Sequence, residues 1–85
     1  MTQKPTIYIL MESATEYDTD FTEYPPEAFR DLKQAKSKMQ KDAQELISSI
    51  KNDGDTPIVD QSDRQIEITA PNVVHKLKIE KVTLQ

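Results

Sequence analysis

The sequence predicts a small α+β fold: an antiparallel or mixed sheet of three to four strands, ordered β-(β)-α-β-β, with one long amphipathic helix on one face. Three observations predict it. A β-branched apolar run, TIYILME, occupies 6–12. Apolar residues spaced by threes and fours run through 28–50, the stripe of an amphipathic helix. Two segments of period two then flank Pro71-Asn72, the signature of a hairpin. At 85 residues the chain is read as one domain, 1–85.

The first strand is apolar in both phases, with Ile7, Ile9 and Met11 on one side and Tyr8 and Leu10 on the other. A strand of this kind is covered on both faces. Ile7 and Ile9 are assigned to the helix side, where they join Ile66, Ile68, Leu77 and Ile79. Residues 21–24 form a short strand that Pro25-Pro26 ends or confines to an edge.

The helical stripe comprises Ala28, Leu32, Ala35, Met39, Ala43, Leu46 and Ile50, widened by Phe29 and Ile47. Its start has two readings. Pro26 in the first turn starts the helix near Glu27; Asp31 as N-cap, with Gln34 three residues on, starts it later. Asn52-Asp53-Gly54, with the only glycine, stops it after Lys51. Residues 52–63 read as a polar loop, followed by the hairpin 65–84. A change of phase to Val82 and Leu84 calls for a bulge near Glu80-Lys81 or a strand end turned toward a partner. Tyr8, Leu10, Val74, Val82 and Leu84 then remain on the face without a helix, where they suggest a homodimer interface or a docking site.

Composition excludes more than it assigns. Without cysteine there is no disulfide framework and no thiolate zinc site. No signal-peptide pattern and no apolar run of membrane-spanning length is present, so the expectation is a cytoplasmic protein. The net charge of −4 opposes general DNA binding. Asp18-Thr-Asp20 and Asp53-Gly-Asp55 resemble the opening of a calcium loop, but Thr22, Glu23 and Phe29 in one and Pro57 and Ile58 in the other break the EF-hand pattern. His75 is the only histidine and shares a phase with Leu77 and Ile79, which reads as a sheet residue rather than a ligand or base. The serines lack a strained Gly-rich turn, one glycine cannot build a phosphate loop, and the paired carboxylates sit in stretches that read as solvated. Neither an enzyme nor a cofactor is expected, and no metal site.

The remaining signal is charge partition. ESATEYDTDFTEYPPE, 12–27, carries six acids, no base and three of the five aromatics. Residues 30–41 carry Arg30, Lys33, Lys36, Lys38 and Lys41 against Asp31 alone. The acidic stretch reads as a connection with a short edge strand. Its Glu16, Tyr17, Asp18, Asp20, Phe21, Glu23 and Tyr24 are the candidate surface for a partner protein with a basic face. The expectation is a non-enzymatic interaction module. By analogy of size and charge it resembles inhibitory or accessory factors, phage and mobile-element proteins among them, that occlude a basic site. The alternative is a nucleic-acid-associated factor using Arg30, Lys33, Lys36 and Lys41, although no interleaved aromatics support it.

Overall fold

The structure, a computed structural model, describes residues 5–84. It comprises six strands and one helix: β1 (Thr6–Glu16), β2 (Asp20–Glu23), β3 (Glu27–Phe29), α1 (Leu32–Asn52), β4 (Ile58–Gln61), β5 (Gln65–Ala70) and β6 (Val73–Thr83). All pairings are antiparallel, in the order β2-β1-β6-β5-β4, and β3 pairs with the same edge of β1 as β2 does. The expected three to four strands are therefore too few.

Both additional strands come from segments that carry little local signal. Pro25-Pro26 end β2, but the chain then returns to β1 and pairs Phe29 with Tyr8 and Glu27 with Leu10. Ala28 thus lies in a strand and not in the helical stripe. β4 arises within the segment read as a polar loop, where Pro57 precedes Ile58-Val59 and a tight connection returns the chain to β5. All four of its residues are exposed.

α1 begins after Asp31, whose side chain accepts a hydrogen bond from the Lys33 backbone N–H at 2.8 Å. The earlier start at Glu27 is excluded because that residue is in β3. The C-terminus closes as a Schellman motif: the Asp55 N–H donates to the Ile50 carbonyl at 3.2 Å, and the Gly54 N–H to Lys51 at 3.0 Å. Gly54 has φ +88°, a conformation that a Cβ disfavours.

Ala35, Met39, Ala43 and Ile50 of α1 are buried against Leu10, Ile66, Ile68, Leu77 and Ile79, with Tyr8 and Phe29 packed at the margin. The alanines keep the helix close to the sheet, and Met39 fills the centre. This arrangement reverses the expected phase of β1. Leu10 stands opposite Ile79 and is 2% exposed, so Tyr8 and Leu10 belong to the helix side. Ile7, Ile9 and Met11 lie on the bare side. Both phases of β1 are apolar, so its orientation is decided by long-range pairing with β6 and not by local pattern.

β6 pairs one-to-one with β1 from Val73 to Thr83, so the bulge expected near Glu80-Lys81 is absent. Val82 reaches the bare face by ordinary alternation. Leu84 follows the strand, 40% exposed, its N–H bonded to the Pro5 carbonyl at 2.8 Å. Among the described residues no helix is long and apolar enough to cross a membrane.

Candidate functional site

The acidic stretch is the outer edge of the sheet. β1 continues to Glu16, four residues beyond the run that the sequence marks, and β2 folds back on it with Glu16 opposite Asp20 and Ser13 opposite Glu23. The turn between them places Tyr17 (φ 52°) and Asp18 (φ 62°) consecutively in the left-handed region, with the Thr19 N–H bonded to the Glu16 carbonyl at 3.1 Å. A hairpin turn of this kind favours Asn-Gly. A tyrosine in it costs about 1 kcal/mol or more. The tip is tied to the β5–β6 turn, because the Tyr17 N–H donates to the Asn72 carbonyl at 2.9 Å.

Every candidate residue of this edge is exposed, and Tyr17, Phe21 and Tyr24 are 66%, 63% and 47% accessible. Alternation divides them. Phe21 and Glu23 align with Thr15 and Ser13 on the bare side, whereas Asp20 aligns with Glu16 on the helix side. A recess of about 290 Å³ at the tip is lined by Glu16, Tyr17, Asp53, Asp55 and His75, among others. On the bare side, Met11, Glu23, Tyr24, Pro25 and Pro26 line a groove of about 330 Å³.

Beneath the same edge lies a cluster that the sequence reading did not assign. Glu12 occupies the helix-facing phase of β1 between Leu10 and Ala14, both 2% exposed, and opposite the fully buried Leu77. Nearby on α1, Lys38 Nζ donates to Asp42 Oδ1 at 3.0 Å. Burial, followed by the Asp42 carboxyl, raises the Glu12 pKa from 4.5 to about 7. Asp42 moves the other way: desolvation pushes it up, but interactions with Glu12 and Lys38 outweigh that and lower it. Glu12, Ser13, Tyr24, Leu46, His75 and Leu77 line a small pocket of about 90 Å³. Burial lowers the His75 pKa, opposed by the Glu16 carboxylate. The reading of the acidic stretches as solvated thus does not extend to Glu12, which is partly buried. The available signal was its phase, shared with Leu10 and Ala14.

The basic helix face is partly neutralised. Lys36 bonds Asp63 of the β4–β5 connection at 2.6 Å, and Lys38 is held by Asp42. Arg30, Lys33 and Lys41 are exposed. On the bare sheet face, Val74 and Val82 lie at opposite ends of β6, with Lys76, Lys78 and Glu80 between them. This charged row divides the apolar residues once grouped as a dimer face, from which Tyr8 and Leu10 are already removed. Among the described residues no three His, Asp or Glu side chains come together as a metal site. No family model matches the chain, and no curated protein or solved structure matches it.

Proposed function

We propose that the chain is a non-enzymatic protein-interaction module, an accessory or inhibitory factor whose β1–β2 edge occupies a basic surface of a partner protein. One observation supports this above the rest: Tyr17, Phe21 and Tyr24 are exposed on one edge, among the exposed carboxylates of Glu16, Asp18, Asp20 and Glu23. Aromatic anchors within a charged rim are what protein interfaces use. The unfavourable placement of Tyr17 at a turn tip is further support, since backbone strain concentrates at functional positions. The groove beside Tyr24 suits the aliphatic stem of a lysine or arginine, with Glu23 among its lining residues for the charged head.

A homodimer is not part of the proposal, because the row of Lys76, Lys78 and Glu80 crosses the middle of the bare face. Nucleic-acid contact through Arg30, Lys33, Lys36 and Lys41 is weaker than the protein reading, because no aromatics are interleaved with them and Lys36 is already paired with Asp63.

The test is capture of a partner from source-cell lysate, followed by binding measurements with that partner purified. Wild type is compared with a variant reversing charge at Glu16, Asp18, Asp20 and Glu23. The expected result is a basic partner bound by wild type, released as salt is raised, and lost in the variant. Equal binding by the two proteins would contradict the reading.

A further inference from the structure

The main chain of β2 carries a row of unused hydrogen-bonding groups. The Tyr24 N–H donates to the Glu12 carbonyl at 3.0 Å, in the register that sets Thr22 opposite Ala14 and Asp20 opposite Glu16. Antiparallel ladders alternate between pairs that exchange hydrogen bonds and pairs that do not. Asp20, Thr22 and Tyr24 therefore turn their backbone groups toward β1, and Phe21 and Glu23 turn theirs outward. Among the described residues, no hydrogen bond outside the strand ladders reaches the main chain of Phe21 or Glu23. The row is bounded. Pro25, next in the same phase, has no N–H to offer, and the turn at Tyr17 and Asp18 closes the other end. Around it stand the exposed carboxylates of Glu16, Asp18, Asp20 and Glu23, none of them in an ion pair among the described residues.

We propose that β2 receives an extended basic segment of the partner protein as a further antiparallel strand, bonded to the outward N–H and carbonyl groups of Phe21 and Glu23. Main-chain pairing then supplies affinity, and the alternating side chains choose the sequence. On the bare side, Glu23 takes a lysine or arginine opposite it and Phe21 an aliphatic residue. On the helix side, Asp20 beside Glu16 takes a second basic residue, and Thr22 makes no charge demand. From its N-terminus the incoming strand reads basic, polar, aliphatic, basic. A second copy of this chain does not fit, since it would set the carboxylate row against its like. β4 is the opposite edge. There the Ser62 N–H bonds the Gln65 carbonyl at 2.9 Å, so the same alternation turns Val59 and Gln61 outward. That edge has no aromatic residue, and its neighbouring Asp63 is already held by Lys36. Strand addition at β2 rests on the reading of this edge as a partner surface, given above, and specifies how the contact is made.

The probe is a cyclic hairpin peptide whose outer strand carries Lys-Thr-Val-Arg, preorganised so that little ordering is left to binding. A second hairpin has the same side chains with the Lys and Val amides N-methylated, which blocks the backbone bonds and keeps the charges. Both are titrated by NMR into the full chain. The expected result is hydrogen-exchange protection at the Phe21 and Glu23 amides and none at Val59 and Gln61. The methylated hairpin is expected to bind about tenfold or more weakly, the worth of roughly two hydrogen bonds. Glu23→Pro, allowed where an edge N–H faces outward, is expected to lose more affinity than Glu23→Gln. Should Glu23→Pro not fold, the methylated hairpin still decides. Equal binding of the two hairpins, protection at Val59 and Gln61 instead, or no shift in β2 with either hairpin would overturn strand addition. Those outcomes leave the edge free to bind through side chains alone. Failure of the edge itself shows separately, as equal partner binding by wild type and the charge-reversal variant.

Discussion

Asp31 and Gly54 terminate α1 by opposite means, one through a side-chain acceptor and the other through a backbone conformation. Asp31→Ala is expected to cost about 1 kcal/mol in urea unfolding. Gly54→Ala meets open space but keeps φ at +88°, and its cost of about 1 kcal/mol comes from the backbone alone. Glu12 adds a pH dependence. Its folded pKa of about 7 lies above the unfolded 4.5, so its stabilisation is fully present below 4.5 and is lost as pH rises through 7. Glu12→Gln is therefore expected to match wild type near pH 4 and exceed it at pH 8. The difference, reduced by solvent screening of a partly exposed carboxyl, is about 1–2 kcal/mol. Asp42 has the reverse sign: its contribution is present above 3.8 and is lost as pH falls below that. His75, also lowered, gives up stability as pH falls below 6.5 and partly opposes the Glu12 gain. The C-terminal stop at Gly54 could be read from residue type and spacing, and Asp31 was one of two starts that they allowed. For Glu12 only its strand phase was available, since Asp42, which adds to the effect of burial on it, lies thirty positions away on another element.

The elements differ in how firmly they are held. β1, β6 and β5 contribute buried residues under α1, whereas β4 and β2 are exposed throughout. Hydrogen exchange is expected to be slowest in the amides of β1 and β6 and fastest in β4, where no helix packs. Leu77→Ala, at a fully buried position, is expected to cost about 2–5 kcal/mol. Ile58→Lys, 70% exposed on the edge strand, is expected to stay within about 0.5 kcal/mol of wild type. The same contrast explains which elements the sequence announces. β5, β6 and α1 each carry a complete periodic pattern because each buries one face. β3 and β4 bury little, have three and four residues, and exist because a longer neighbour offers them an edge. A pattern set by burial cannot report strands that are not buried.

The whole molecule is elongated, 55 × 24 × 18 Å, with a radius of gyration of 14.6 Å where a compact chain of this length would have about 12 Å. The extension follows from two eleven-residue central strands and a twenty-one-residue helix lying across the sheet. One helix covers one face, so the β1–β2 edge proposed for binding, the bare face and the β4 edge are all presented without a second layer. The aromatic anchors were legible as a group from composition, because acids and aromatics concentrate in one stretch. The division of β2 itself, with Phe21 and Glu23 on one side and Asp20 on the other, was not, since it depends on the register of β2 against β1. That edge is the proposed binding surface. Its most direct test is the affinity of the purified partner for wild type and for Tyr17→Ala/Phe21→Ala, two exposed positions outside the core. A loss of about tenfold or more, with unfolding midpoints unchanged, is expected. Unchanged affinity in a variant of unchanged stability would contradict it.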